Sequence, residues 1–106
     1  LKSHRMDAKN ALLDLAARQE RYYSVNQSYT NTASALGYSG TFPILVPSTN
    51  NASYAISVTL TLGTIQYMAA ATPAGNQSSD GCGKFLLRWD GMQSIQNASL
   101  SAAECW

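Results

Sequence analysis

The sequence predicts an α+β domain spanning residues 1–106, with one long N-terminal helix packed on a four-stranded antiparallel meander. Three observations predict it. The first 25 residues contain no Gly or Pro and carry apolar side chains at helical spacing. A polar stretch from 26 to 53 follows. After it come runs of alternating apolar and polar residues, broken by Gly, Pro and Asp-Gly turns. A helix first and then only strands is the ordering of a segregated α+β fold.

The helix is dominated by Ala, Leu, Arg, Lys, Gln and Glu, all good helix formers. At 100° per residue, Leu1, Ala8, Ala11, Leu12, Leu15, Ala16, Tyr22 and Tyr23 fall in one arc. Ser3, Asp7, Asn10, Asp14 and Arg21 fall opposite. Asp14 and Arg18 stand four apart in the favourable order. Met6, Leu13 and Ala17 form a second, narrower apolar stripe that a single sheet would not cover. The start is also unusual. Lys2, His4 and Arg5 put positive charge at the positive end of the helix dipole, and no capping residue precedes Leu1. The segment reads as beginning inside a longer helix.

Residues 26–53 read as an ordered surface loop anchored by Tyr29, Leu36, Tyr38, Phe42 and Ile44. Pro43 and Pro47 forbid a central strand there. Loops of this length inside a small domain are usually functional. Tyr54–Leu62 is the clearest strand, with Ile56, Val58, Leu60 and Leu62 on one side. Residues 65–72 return. Residues 73–81 form a loop. Lys84–Trp89 is the third strand, Asp90-Gly91 the hairpin turn, and 92–95 the fourth strand.

Composition excludes more than it selects. The chain is 45% hydrophobic but only 12% charged, with a net charge of +1. That balance gives no general argument for nucleic acid. The basic residues are skewed: Lys2, Arg5, Lys9, Arg18 and Arg21 lie in the helix, and only Lys84 and Arg88 beyond it. The two cysteines, Cys82 and Cys105, are too few for a metal site. Their spacing points to a disulfide and an oxidising compartment; the alternative is two separate buried thiols. One histidine, His4, leaves no Ser/His/Asp set. Asp80 alone is too few carboxylates for calcium. No phosphate-binding Gly-rich loop occurs. No catalytic residue, cofactor, metal or small-molecule substrate is expected, and the chain does not read as an enzyme. The sequons at Asn26, Asn51, Asn76 and Asn97 are read as chance in an Asn- and Ser-rich chain.

The block Ala16-Ala17-Arg18-Gln19-Glu20-Arg21-Tyr22-Tyr23 closes the helix. It is followed by Asn26, Tyr29, Leu36-Gly37-Tyr38, Tyr54, Ala71-Thr72-Pro73, Asp80-Gly81-Cys82-Gly83, Asp90-Gly91 and Cys105-Trp106. Over nearly its whole length this pattern resembles the type IV pilins, and most of all the PilE-type minor pilins of Gram-negative bacteria. In that family a strongly apolar helical half, with a methylated first residue, precedes the part present here. It anchors the subunit in the inner membrane, facing the periplasm, and then packs in the core of the extracellular filament. The resemblance implies a structural subunit, partnered by other pilins, serving adhesion, twitching motility or DNA uptake. It divides the chain into helix (1–25), αβ-loop (26–53), sheet (54–96) and a D-region bounded by Cys82 and Cys105. The αβ-loop and D-region become contact surfaces by that resemblance, and Met6, Leu13 and Ala17 a subunit interface on the helix. A major pilin of the same fold is the nearest alternative, and a secretion pseudopilin is disfavoured by the terminal disulfide. A DNA-receptor or adhesive pilin is the rival of a different class. For DNA, the candidates are the helix basic residues, or Lys84, Arg88 and Trp89. The low net charge places DNA behind subunit contacts.

Overall fold

The computed structural model of the chain describes residues 4–38, 41–46, 52–61, 63, 65–75, 77, 80–96, 100 and 105–106. One helix, α1 (Arg5–Asn26), lies on a sheet of five strands: β1 (Ile44–Val46), β2 (Tyr54–Thr61), β3 (Gln66–Pro73), β4 (Lys84–Arg88) and β5 (Gln93–Gln96). The strands follow one another in sequence order and every neighbouring pair is antiparallel. Helix and meander are therefore as the sequence implies. Leu1 and Leu62, both expected on apolar faces, lie outside the described residues.

The strand count differs from expectation by one. The expected loop 26–53 holds a 3₁₀ turn, Ala33–Leu36, and the strand β1. Pro43 does exclude a central strand, but the sheet uses Ile44-Leu45-Val46 at its edge, paired only with β2. An edge strand tolerates a flanking proline because the missing N–H faces no partner.

Alternation decides which side chains meet the helix. Tyr54 and Ile56 from β2, Tyr67, Ala69 and Ala71 from β3, and Phe85 and Leu87 from β4 are buried on one face. Ala8, Leu12, Leu15 and Gln19 of α1 are fully buried against them. The loop adds Tyr29 and Leu36 to the same core, and Tyr38, Phe42 and Ile44 pack against it in part. All five anchors thus meet the core, Ile44 from the strand β1 and not from a loop.

The helix has a definite polarity on the sheet. Its start meets the loop before β4, through Arg5 and Asp80. Its last turn meets the start of β3 through the ring series Tyr23, Tyr29 and Tyr67, with centroids 4.7 and 4.8 Å apart. The Cys82–Cys105 disulfide forms, with Cα atoms 5.8 Å apart and both residues buried. It sets Trp106 edge-on against Phe85, where the indole N–H donates to the Ser94 carbonyl at 2.9 Å. No helix among the described residues is long and apolar enough to cross a membrane.

Candidate functional site

The candidate sites among the described residues are surfaces. The first is the face of α1 turned from the sheet. Met6 and Leu13 are each about half exposed, at 52% and 51%, and Ala17 is exposed as well. The second apolar stripe of the sequence thus lies at the surface, with no described residue burying it.

The helix base is held by an interaction that sequence reasoning did not find. Arg5 donates from Nε and Nη2 to the two carboxylate oxygens of Asp80, at 2.8 and 2.7 Å. Both side chains are largely buried. The guanidinium holds the Asp80 carboxyl below the usual carboxylate range, aided by the backbone N–H groups of Gly81 and Cys82. Gln77 adds a bond from Nε2 to the Tyr54 hydroxyl at 3.0 Å. A basic residue of the wrong sign for the helix dipole is thus matched to a carboxylate 75 positions away. Nothing local in the sequence signals such a pair.

The αβ-loop is fixed to the last turns of α1 by two devices. Gln19 donates from Nε2 to the Thr30 carbonyl at 2.6 Å and accepts from the Thr30 N–H at 3.2 Å, so one side chain satisfies both backbone groups. Its position, seven beyond Leu12 and four beyond Leu15, was the available signal; its polarity hid it. Arg18 donates from Nε to Asp14 at 2.8 Å and from Nη1 to the Leu36 carbonyl at 2.9 Å, and lies 4.4 Å from the centre of the Tyr38 ring. Burial, with the Asp14 carboxylate nearby, pushes the Tyr38 hydroxyl up to about 12. An open cleft of about 530 Å³ separates this turn from the helix end, lined by Arg18, Arg21, Tyr22, Val25, Leu36 and Gly37 among others.

The third surface is the outer side of the sheet. Lys84 and Arg88 both point there, one at each end of β4, while Trp89 stands 39% exposed just beyond. The strand thus puts Lys84 at the opposite end from the Arg88–Trp89 pair. Arg88 is neutralised by Asp90, with contacts of 3.2 and 2.5 Å, and it holds the Asp90 carboxyl down to about 2. A shallow groove of about 380 Å³ runs between Thr61, Gln66, Met68, Arg88 and Trp89.

Among the basic residues, Arg5, Arg18 and Arg88 are each spent on a carboxylate, and His4 stands 3.1 Å from Asp7. Among the described residues Lys9, Arg21 and Lys84 form no ion pair. No group of three or more His, Cys, Asp or Glu that could hold a metal occurs among the described residues. Of the D-region, residues 97–99 and 101–104 lie outside the described residues, as do the sequon residues Asn51, Asn76 and Asn97.

Comparison with known proteins now bears on these surfaces. A family model described as type IV minor pilin ComP, DNA uptake sequence receptor, matches residues 1–86. Among solved structures, a type IV pilin from Shewanella oneidensis is similar at 27% identity and a TM-score of 0.67, with 99% of this chain and 96% of that chain covered. A comparison with curated proteins found no match.

Proposed function

Since the chain belongs to the family of the type IV minor pilin ComP, DNA uptake sequence receptor, we propose that it enters a pilus by stacking the outer face of α1 and its αβ-loop against other pilin subunits. One observation carries this reading: Met6, Leu13 and Ala17 form an apolar stripe that the domain's own sheet leaves bare. A filament grows by contacts that join unlike patches without closing, and an uncovered helix face supplies one half of such a contact. Membership of this family implies a membrane-anchored precursor before assembly into the pilus. The chain's role in this reading is that of a structural subunit. Deleting the gene and counting surface filaments tests the assembly role. Loss of filaments, restored by low expression of the full-length subunit, supports a minor, assembly-promoting pilin; unchanged filament numbers contradict that role.

A second reading is favoured by the family description, which names a DNA uptake sequence receptor. In this reading duplex DNA meets the outer sheet face, where Lys84 contacts phosphate and Trp89 lies against the sugar–base edge. Each phosphate neutralised adds to the steepness of salt dependence. Gel-shift titration across salt concentrations tests it. Binding that weakens with salt and loses about one unit of slope in Lys84→Ala supports it; absence of any complex at low salt overturns it.

A further inference from the structure

The two devices that hold the αβ-loop differ in kind. Gln19 is fully buried and satisfies both the backbone N–H and C=O of the part-buried Thr30. Arg18 sits near the surface and acts on a different stretch. Among the described residues, a single side-chain hydrogen bond reaches the backbone of 33–38, and it comes from Arg18 Nη1 to the Leu36 carbonyl at 2.9 Å. That carbonyl closes the 3₁₀ turn, a place where acceptors lack a partner within the turn itself. The Nε bond to Asp14 restrains the guanidinium, and its Cζ lies 4.4 Å over the Tyr38 ring. Gly37 completes the fit from the loop side. It has φ of +93°, and a Cβ there would stand 2.9 Å from Arg18 Nη1. A side chain at 37 would therefore be strained in its backbone and would press on the guanidinium.

We propose that Arg18 is the positioning residue of the αβ-loop, setting the shape in which residues 36–38 are offered to a neighbouring subunit. The proposal rests on the reading above that this loop is a subunit contact. Lysine cannot replace arginine in the role. An ammonium group has no planar fork with which to bridge Asp14 and Leu36 while lying over a ring. Nor is the role chiefly one of stability. The Arg18–Asp14 pair is open to water on the Asp14 side, which is 52% exposed against 27% for Arg18, and pairs that water screens add little to a fold.

Hydrogen exchange of the chain and incorporation of the full-length subunit into filaments test this together, in Arg18→Lys and Gly37→Ala. The Gly37 and Tyr38 N–H groups, which donate to Ser34 and Ala33 carbonyls, are expected to exchange at least ten-fold faster in both variants, while amides of β2 and β3 keep their protection. Incorporation is expected to fall at least five-fold in both, with no rescue by the conservative lysine. Unchanged exchange at 37 and 38 in Arg18→Lys overturns the positioning role. Faster exchange with normal incorporation leaves Arg18 as the residue that shapes the loop and overturns the reading of the loop as a subunit contact. If Arg18→Lys also loses protection in β2 and β3, the role is general stability, and the proposal fails.

Discussion

The two faces of α1 are made of similar residues and meet opposite fates. The inner face places Ala8, Leu12, Leu15 and Gln19 against the sheet, all fully buried. The outer face carries Met6, Leu13 and Ala17, all of them exposed, the first two by about half. Leu12 and Leu13 are neighbours in sequence with the same side chain, yet one belongs to the core and the other to whatever the helix meets next. The contrast teaches that burial within this domain accounts for most, but not all, of the helix's apolar content. A helix in a self-sufficient domain needs one stripe; this one has two.

The largest effects should come from breaking the inner face. Leu12→Ala is expected to lose about 3–5 kcal/mol in urea unfolding, because a filled core site becomes a cavity. Leu13→Ala should stay within about 0.5 kcal/mol of the parent. Equal losses at the two positions would erase the distinction.

Next in size is the tie at the helix base. Asp80→Asn removes the carboxylate from a largely buried Arg5 and is expected to cost about 3 kcal/mol. The pH dependence follows from the lowered carboxyl pKa. Since the folded value lies below the unfolded one, about 3.9, the contribution is complete above that pH. It fades as pH falls through the folded value. Acid unfolding monitored by circular dichroism should therefore show a steeper loss below about pH 4 in the parent than in Asp80→Asn. Superimposable acid profiles would remove Asp80 from the account.

Smaller still is Gln19→Leu. The shape is kept, but the Thr30 N–H and C=O lose their partner, at about 1–3 kcal/mol. Exchange at the Thr30 amide should rise with it. A neutral substitution would mean that another group takes over both bonds.

How legible these features were depended on distance along the chain. The main helix stripe, the period-two strands and the Asp90-Gly91 hairpin are local patterns, so they could be read directly. The cysteine pair was legible because a chain with two cysteines allows one pairing. β1 was missed because two prolines argue for a loop, and only the sheet edge resolves the conflict. Gln19 was passed over because the apolar count ignores polar residues that bond to backbone. The Arg5–Asp80 pair and the grip of Arg18 on Leu36 depend on tertiary approach, which no spacing rule encodes. For the surfaces, the Asp14–Arg18 pair and the low net charge could be read from spacing and composition, whereas the neutralisation of Arg5 by Asp80 could not.

The outer stripe is the feature on which the account stands, and Leu13→Asp in the full-length subunit tests it most directly. The measurement is the fraction of subunit recovered with sheared filaments, read beside the unfolding midpoint of the domain. A charge on an already exposed site should leave the midpoint nearly unchanged while recovery with filaments drops at least ten-fold. Recovery equal to the parent, with the domain folded, would show that this helix face touches no other subunit.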